Sequence, residues 1–278
     1  MIYETYQPQS PLSQFIEFFW MKEGDNLSVV QTRLLPMGTM ELVIDLHEDR
    51  IPLFDRQSRL QCGSANGAMI CGAHSENFVI RDADTISVMG VHFKPGGGAF
   101  FELPAGELYN ERISLDEVWK TRASELREQL LLCQGQRLLQ ESISKRRFWI
   151  LEQFLMQMLR LPHYHPAVSF ALQQFQQSAN STIRSITEQT GFSDRYFNQL
   201  FRDQVGVTPK LFCRIQRFQK VLEMLSVNAA VDWIDIAFTC GYFDQAHFIH
   251  DFRAFADCTP TEYLKQRGFH RCHVVLAD

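Results

Sequence analysis

The chain has 278 residues, of which 45% are hydrophobic and 21% are charged, with a formal net charge of −5. This is ordinary for a soluble globular protein and leaves room for two domains, each with its own core. No apolar run approaches the roughly 20 residues of a membrane span, and the first residues lack the basic and apolar segments of a signal peptide. We therefore expect a cytoplasmic protein with no membrane partner.

The charge is distributed unevenly along the chain. Residues 1–159 carry 15 basic and 21 acidic side chains, whereas residues 160–271 carry 12 and 10. A mildly basic C-terminal module beside an acidic domain is typical of a protein that binds a nucleic acid duplex through one face. The small cationic excess indicates that affinity depends on a few placed contacts.

The seven cysteines are scattered and contain no CxxC pair. This pattern favours reduced thiols that serve as small core residues, and a redox role for Cys62 and Cys71 is the less favoured alternative. His270, Cys272 and His273 cluster near the C-terminus, but no second ligand pair stands at the spacing of structural zinc. We predict no metal and no cofactor.

Residues 1 to about 113 have the pattern of a β-rich region. Leu12, Phe15, Ile16 and Phe19 predict a short helix or a helix-to-strand transition. Short strands are predicted at residues 41–46, 78–80, 86–89 and 91–94, with turn residues between them, which suggests an antiparallel sheet or a small barrel. The glycines at 96–98 match a phosphate-binding loop poorly and suit a flexible loop better.

From residue 114 to residue 160 the pattern becomes helical. Ser114 and Glu117 form a capping box, and apolar stripes follow at Leu126, Leu130 and Cys133 and at Phe148, Leu151, Leu155, Met158 and Leu159. Such stripes suit either a core or an interface. Pro162 and Pro166 then mark a linker at residues 161–166, and this interpretation is preferred to a metal site at His163 and His165.

Two similar passages organise residues 167–268. Gly191 and Gly241 lie 50 positions apart, each after a short amphipathic run, and Ile186-Thr187 corresponds to Ile236-Ala237 in that frame. Each passage predicts a helix, a glycine turn and a second helix, which together form a duplicated helix-turn-helix unit. Apolar residues at helical spacing bury one face of each second helix, namely Phe197, Leu200, Phe201, Phe248, Phe252 and Phe255.

The opposite faces of these second helices are polar. Arg, Asn and Gln side chains make bidentate contacts to base edges in the major groove, and two such helices about 34 Å apart would enter successive grooves. The predicted DNA-binding residues are Ser193, Arg195, Asn198, Gln199, Arg202, Asp244, Gln245, His247, His250 and Arg253. Thr208-Pro209 predicts the start of a long connecting helix, and Thr259-Pro260 predicts the start of the last helix.

The region from Ile183 to Tyr263 resembles the DNA-binding domain of the AraC/XylS family of bacterial transcription regulators. The resemblance lies in the passages GFSDRYFNQLFRDQVGVTPKLFCRIQRFQ, DIAFTCGYFDQAHFIHDFRAF and TPTEYLKQR. It implies an all-helical module in which a long helix joins two helix-turn-helix subdomains, with double-stranded DNA as partner. It also implies a homodimer through the helices that precede the module, and it allows a contact with RNA polymerase.

The N-terminal region resembles the sensor region of one subgroup of these regulators, in Leu35-Pro36-Met37-Gly38, Cys71-Gly72-Ala73-His74-Ser75 and Gly90-Val91-His92-Phe93-Lys94-Pro95-Gly96-Gly97. Met37 and His92 depart from the Asp and Arg of the subgroup, so the resemblance does not identify an effector. Glu41, His74, His92 and Lys94 are the candidates for a polar effector pocket, although Glu41 and His92 equally suit solvent-facing positions on alternating strands.

The sequence thus predicts an α+β protein. Residues 1–160 form a β-rich sensor or dimerisation domain, residues 161–166 a linker, residues 167–268 an all-α double helix-turn-helix domain and residues 269–278 a tail. The predicted function is sequence-specific transcription regulation under a small-molecule effector. The alternatives are regulation without an effector and an alkyl-transfer enzyme fused to this module, which the small number of N-terminal cysteines disfavours.

Overall fold

The computed structural model describes residues 2–25, 31–81, 83–133, 141–159, 165–177, 183–227, 232–268 and 270–276. A β-rich N-terminal region precedes a helical C-terminal region, as predicted. Most of the predicted linker, with Pro162 and His163, lies outside the described residues, so the domain boundaries there remain a prediction. No helix among the described residues is long and apolar enough to cross a membrane.

The described strands form two antiparallel sheets, so the structure has sheets in place of the closed barrel that the sequence also allowed. In spatial order, the first sheet contains β1 (Ile2–Tyr6), β2 (Ile16–Asp25), β9 (Thr85–Phe93), β4 (Glu41–Asp45), β7 (Ala68–Cys71) and β10 (Arg112–Ser114). The second contains β11 (His273–Val275), β3 (Gln31–Leu34), β8 (Phe78–Arg81), β5 (Arg50–Phe54) and β6 (Gln61–Asn66).

The segments at 86–89 and 91–94, predicted as separate strands, belong to the single long strand β9, except for Lys94, which follows it. Leu12–Gln14 is a 3-10 turn that leads into β2, which confirms the helix-to-strand transition. The glycine-rich segment at 96–98 enters another 3-10 turn, Gly97–Phe100. A Cβ at Gly97 would clash with the carbonyl oxygen of Phe15, so the segment packs closely against the residue that precedes β2.

One face of the first sheet packs against α1 (Leu115–Trp119), α2 (Thr121–Leu132) and α3 (Glu141–Met158). The capping box before α1 is confirmed, since the backbone N–H of Ser114 donates to Glu117 Oε1 over 3.3 Å. Phe148, Leu151 and Leu155 of α3 are buried in this core. The second helical stripe of the N-terminal region is therefore core, and it is not available as an interface.

The C-terminal region contains α4 (Pro166–Gln177), α5 (Ile183–Thr190), α6 (Asp194–Val205), α7 (Pro209–Val227), α8 (Trp233–Thr239), α9 (Gln245–Ala256) and α10 (Pro260–Gln266). Thr259 caps α10 and forms a capping box with Glu262. Proline stands at the first position of α7 and of α10, where its fixed φ suits a helix start.

The C-terminal region is helical, as predicted, and the tail that follows it contributes a strand to the second sheet of the N-terminal region. β11 pairs with β3, so that Val274 lies opposite Arg33, and its edge position completes the second sheet. Cys272, Val274 and Leu276 are buried. The backbone amides of a strand need partners, and the open edge of β3 supplies them.

Candidate nucleic-acid interface

The first helix-turn-helix unit consists of α5 and α6. Gly191 joins the two helices with φ +73°, a left-handed conformation that glycine adopts without strain. Ser193 caps α6 by accepting a hydrogen bond from the backbone N–H of Tyr196 over 3.3 Å. Phe197 and Phe201 are fully buried, so the polar face of α6 turns outward, as predicted.

The second unit, α8 and α9, repeats this construction. Gly241 has φ +80°, and Tyr242 after it is buried in the angle between the helices. Asp244 caps α9 through a 2.7 Å hydrogen bond from the backbone N–H of His247. Phe248 and Phe252 are buried at the positions that Phe197 and Phe201 occupy in the first unit.

The two turns differ in length by one residue. Two steps lead from Gly191 to the cap at Ser193, whereas three lead from Gly241 to the cap at Asp244. The frame of 50 therefore holds for the first helices and the glycines, but the second helices correspond in a frame of 51. In that frame Gln199 corresponds to His250, Arg202 to Arg253 and Arg195 to Ala246.

Most of the predicted DNA-binding residues are exposed. They are Ser193, Arg195, Gln199 and Arg202 in the first unit and Asp244, Gln245, His250 and Arg253 in the second; Asn198 and His247 are half-buried. Ser193 and Asp244 serve as caps. Within α6, the Asn198 amide donates to the carbonyl oxygen of Asp194 and the Gln199 amide donates to Asp203 Oδ1, each over 2.8 Å. If these two amides contact DNA, each replaces its hydrogen bond within α6 with one to the duplex.

The helix α7 couples the two units. Phe212, near its start, packs into the core of the first unit, whereas Phe218, Val221 and Leu222 pack into the core of the second. The guanidinium of Arg214 reaches α9, with Nη2 2.7 Å from Asp251 Oδ1 and Nε 3.3 Å from Oδ2. This pairing raises the pKa of Arg214. The spacing of the recognition helices is thus set by a rigid connection.

The basic residues of α7 serve packing. Arg217 lies over the ring of Tyr242, with its Cζ 5.4 Å from the ring centroid, and the amino group of Lys220 donates to the carbonyl oxygen of Thr239 over 3.0 Å. Together with the pairing of Arg214 and Asp251, these contacts stabilise the packing between the two subdomains.

The N-terminal region holds the C-terminal end of α9. Asn77 Nδ2 donates to the carbonyl oxygen of Phe255 over 2.9 Å, and Arg33 Nη1 donates to that of Ala256 over 3.0 Å. Arg56 pairs with Asp257, which ends the helix with φ +52°. The last carbonyls of a helix lack internal partners and carry partial negative charge, so cationic and amide donors stabilise them. We call Arg33, Arg56 and Asn77 the α9 clamp.

A second interdomain contact lies at the end of α6. A Cβ at Gly106 would lie 3.1 Å from the carbonyl oxygen of Arg202, and one at Gly206 would lie 2.9 Å from Cβ of Ala73. Gly206 also ends α6 with φ +96°. The N-terminal region thus touches the C-terminal ends of both recognition helices and leaves their outer faces exposed.

The effector candidates are only partly brought together. Glu41 and His92 lie directly opposite each other on β4 and β9, in a row that Phe18, Cys71 and Arg112 extend on neighbouring strands. Directly opposed residues share one face of a sheet. The amino group of Lys94 instead donates to the carbonyl oxygen of Ser13 over 2.7 Å, and the ring of His74 lies against Phe78 with centroids 4.9 Å apart.

Burial changes the charge of this row. It raises the pKa of Glu41 to about 7, although a 2.6 Å hydrogen bond from Trp20 Nε1 opposes the shift. Burial lowers the pKa of His92 to about 4, and His270 and Arg271 of the C-terminal segment lower it further. Burial also lowers the pKa of His74 to about 3. The row therefore holds one neutral imidazole, that of His92, and a carboxyl group that titrates near neutral pH.

A cleft of about 480 Å³ lies between the two regions. Its lining includes Arg56, Ser75 and Tyr109 from the N-terminal region and Lys210 and Arg214 from α7. The hydroxyl groups of Ser75 and Tyr109 lie 2.5 Å apart. A molecule bound in this cleft would contact both regions at once.

Two family models match the chain. Residues 4–114 match a domain of unknown function, DUF6597, and residues 186–266 match a helix-turn-helix domain. The second match covers both glycine turns and both recognition helices. Residues 186–266 are an AraC-type helix-turn-helix domain. This match supports a DNA-binding transcription regulator.

Two solved regulators have low similarity to the chain, ToxT over most of its length and XylR over less than half of it. ToxT from Vibrio cholerae is 10% identical with a TM-score of 0.46, over 95% of this chain and 98% of ToxT, and it has also been solved with an unsaturated fatty acid bound, at the same identity and score. The xylose-binding transcription activator XylR is 18% identical with a TM-score of 0.32, over 44% of this chain and 39% of XylR. No curated protein sequence matches the chain significantly.

Sequence reasoning missed the contacts that join the AraC-type domain to the N-terminal region. Arg33, Arg56 and Asn77 stand in unremarkable β-type or turn sequence, and the strand partner of Val274 lies at the other end of the chain. No local pattern signals such contacts. The additional residue in the second turn is visible in the sequence, once the caps at Ser193 and Asp244 are aligned.

Proposed function

We propose that this chain is a sequence-specific transcription regulator that reads two successive major grooves through α6 and α9. The observation that carries the proposal is the pair of exposed polar helix faces, each behind a glycine turn and joined by α7. Arg195, Asn198, Gln199 and Arg202 read one half-site in this proposal, and Gln245, His247, His250 and Arg253 read the other. Ser193 and Asp244 position the helix ends that face the duplex.

The direct test is to sequence the duplex fragments that the purified full chain retains from a random library. A single enriched motif with two segments about one helical turn apart supports the proposal, because rigidly spaced helices require fixed half-site spacing. Retention of fragments without any shared motif would contradict sequence-specific reading. A variant in which Arg195, Gln199 and Gln245 are all alanine serves as the matched control and should lose the enrichment.

We further propose that a small-molecule effector modulates DNA binding through the interdomain contacts. The α9 clamp and the contact at Gly106 touch the ends of both recognition helices, so a change in the N-terminal region alters how these helices can adjust to DNA. Glu41 and His92 remain the leading effector-binding residues, while the bonds of Lys94 and the position of His74 give these two candidates less support. Regulation without an effector is the alternative.

Thermal-shift screening of the full chain against metabolites separates these two alternatives. A ligand that binds the folded chain raises the melting temperature by mass action. The same ligand should act less on Glu41→Gln than on Asp49→Asn, which changes an exposed carboxyl group on the same domain. A ligand that shifts the melting temperature without changing DNA affinity would contradict the coupling.

An enzymatic role receives no support from five of the seven thiols. Burial raises the pKa of Cys71 to about 12 and that of Cys213, Cys240, Cys258 and Cys272 to about 11. A nucleophilic cysteine requires the thiolate, which such values disfavour. We therefore favour regulation over alkyl transfer.

The homodimer stays a prediction, and so does the contact with RNA polymerase. Because Phe148, Leu151 and Leu155 lie in the core, a dimer through α3 would use the exposed residues Trp149 and Met156. Sedimentation of the full chain at micromolar concentration, compared with Trp149→Glu, checks this. A wild-type monomer under these conditions would contradict the dimer.

A further inference from the structure

The second turn carries an exposed aromatic residue that the first turn lacks. Phe243 is the additional residue between the glycine and the cap, and its side chain is 85% exposed. No other large hydrophobic side chain among the described residues is as exposed. Single exposed apolar side chains are common on protein surfaces, so the position of Phe243, and not its exposure alone, points to a partner.

Its two neighbours fix the direction of Phe243. Tyr242 is buried against Phe248, with ring centroids 5.5 Å apart, and Asp244 is held as the cap of α9. Because both flanking residues are anchored, the backbone of Phe243 has little freedom to turn its ring into the core. The ring therefore stands at the N-terminal end of α9, which is the end of a recognition helix that approaches base edges.

The chemistry of the ring selects its partner. Phenylalanine offers no hydrogen bond, and the C5-methyl group of thymine is the apolar feature of the major groove. On α9 itself, the exposed side chains of Gln245 and His250 are polar and suit base edges. A lone aromatic ring among them fits a methyl-bearing base better than the broad apolar surface of a protein partner.

We propose that Phe243 packs against the C5-methyl group of a thymine and so determines one base of the second half-site. The inference rests on the proposed function and adds a residue to its DNA-reading set. It also gives the one-residue difference between the turns a role, since the additional position lets the second unit recognise an apolar group where the first unit has only the cap Ser193.

The test uses the duplex that the wild-type full chain selects from a random library. Each thymine of the second half-site is replaced in turn by uracil, which lacks only the methyl group, and affinity is measured for the wild type and for Phe243→Ala. For the wild type we expect one uracil duplex to bind about fourfold more weakly, the effect of losing one buried methyl-sized group. Phe243→Ala should bind the thymine duplex at least about fourfold more weakly than the wild type does. Its affinity should not fall further when the same thymine is replaced by uracil.

Phe238→Ala is the matched control. Phe238 is an exposed aromatic residue of α8, and its loss should leave the response to uracil as in the wild type. The inference is overturned if Phe243→Ala responds to every uracil as the wild type does, or if the selected half-site contains no thymine whose methyl group matters. If the wild type selects no motif at all, the proposed sequence-specific reading is itself wrong. That result differs from one in which a motif is selected but Phe243 does not recognise a methyl group in it.

Discussion

Arg56 and Asp257 form a bidentate ion pair across the boundary between the N-terminal and C-terminal regions. Nη2 of Arg56 lies 2.6 Å from Oδ1 of Asp257, and Nε lies 2.9 Å from Oδ2. Because Asp257 ends α9, this pair ties a strand-to-strand turn of the N-terminal region to a recognition helix. The pairing raises the pKa of Arg56.

Replacing Arg56 by alanine should loosen the end of α9. We expect a loss of about 1 kcal/mol in the free energy of unfolding, a modest value because both side chains are partly exposed. Hydrogen exchange at the backbone amides of residues 253–257 should become faster. Arg50→Ala is the control, since its guanidinium bonds Ser64 within the second sheet. Unchanged exchange in Arg56→Ala would show that the clamp does not hold the helix.

Replacing Arg195 by alanine should weaken DNA binding by about 1–3 kcal/mol and relax the preference at one base pair. Arg195 is an exposed residue in the first turn of α6, behind the cap at Ser193. Affinity and footprint on the selected duplex provide the measurement, and Arg122→Ala controls for the loss of one surface cation. Equal affinity and equal preference in Arg195→Ala would remove this residue from the DNA-reading set.

Replacing Arg214 by alanine should destabilise the link between the two units. The Asp251 side chain is 3% exposed and would be left as a buried charge without its bidentate partner. Breaking a buried pair on one side is strongly destabilising, and we expect about 2 kcal/mol because Arg214 is itself partly exposed. Chemical denaturation of Arg214→Ala, Asp251→Asn and the double variant measures the coupling. If the two single variants lose unfolding free energies that add up to the loss in the double variant, Arg214 and Asp251 are not coupled.

Two neighbouring valines of β11 allow its packing to be tested with a matched pair of variants. Val274 is fully buried in the core of the second unit, whereas its neighbour Val275 is half-buried on the other side of β11. Val274→Ala should cost about 2 kcal/mol of unfolding free energy, the usual scale for truncating a core aliphatic residue. Val275→Ala should cost less than half as much. Equal losses would mean that the strand does not pack in this orientation.

Glu41 predicts a pH dependence of stability. Its folded pKa of about 7 lies above the usual value of 4.5, so the folded chain holds a proton that the unfolded chain has released. This group therefore lowers stability as pH rises from about 4.5 to 7. Relative to Glu41→Gln, the wild type should lose at most about 1.4 kcal/mol per pH unit in that window. Denaturation at several pH values measures the difference, and a constant difference would contradict the shift.

The sequence allowed the helical half to be predicted closely, because its signals are local. The glycine turns at 191 and 241, the helix start at Thr259-Pro260 and the aromatic residues at helical spacing each act within a few positions, and the structure confirms them. The identity of the edge strand and the partners of Arg33 and Asn77 depend on residues far apart along the chain. Such pairings follow from the packing of whole domains, so periodicity gives no sign of them.

The effector candidates Glu41 and His92 also show that contacts between distant parts of the chain cannot be predicted from local sequence. Alternation placed both on strands, but their direct opposition depends on the register between β4 and β9. Lys94 lies one residue beyond β9, and its ammonium group bonds the carbonyl oxygen of Ser13. Register and loop conformation decided which candidates meet, and neither can be read from residue types.

The pairing of β11 with β3 also bears on how the polypeptide forms. During synthesis, the segment that will accept the last strand leaves the ribosome long before that strand exists. Until residues 273–275 have been synthesised, Gln31–Leu34 keeps an open edge that invites pairing with other chains. A product truncated before residue 273 therefore carries an unpaired strand edge that favours association with other chains.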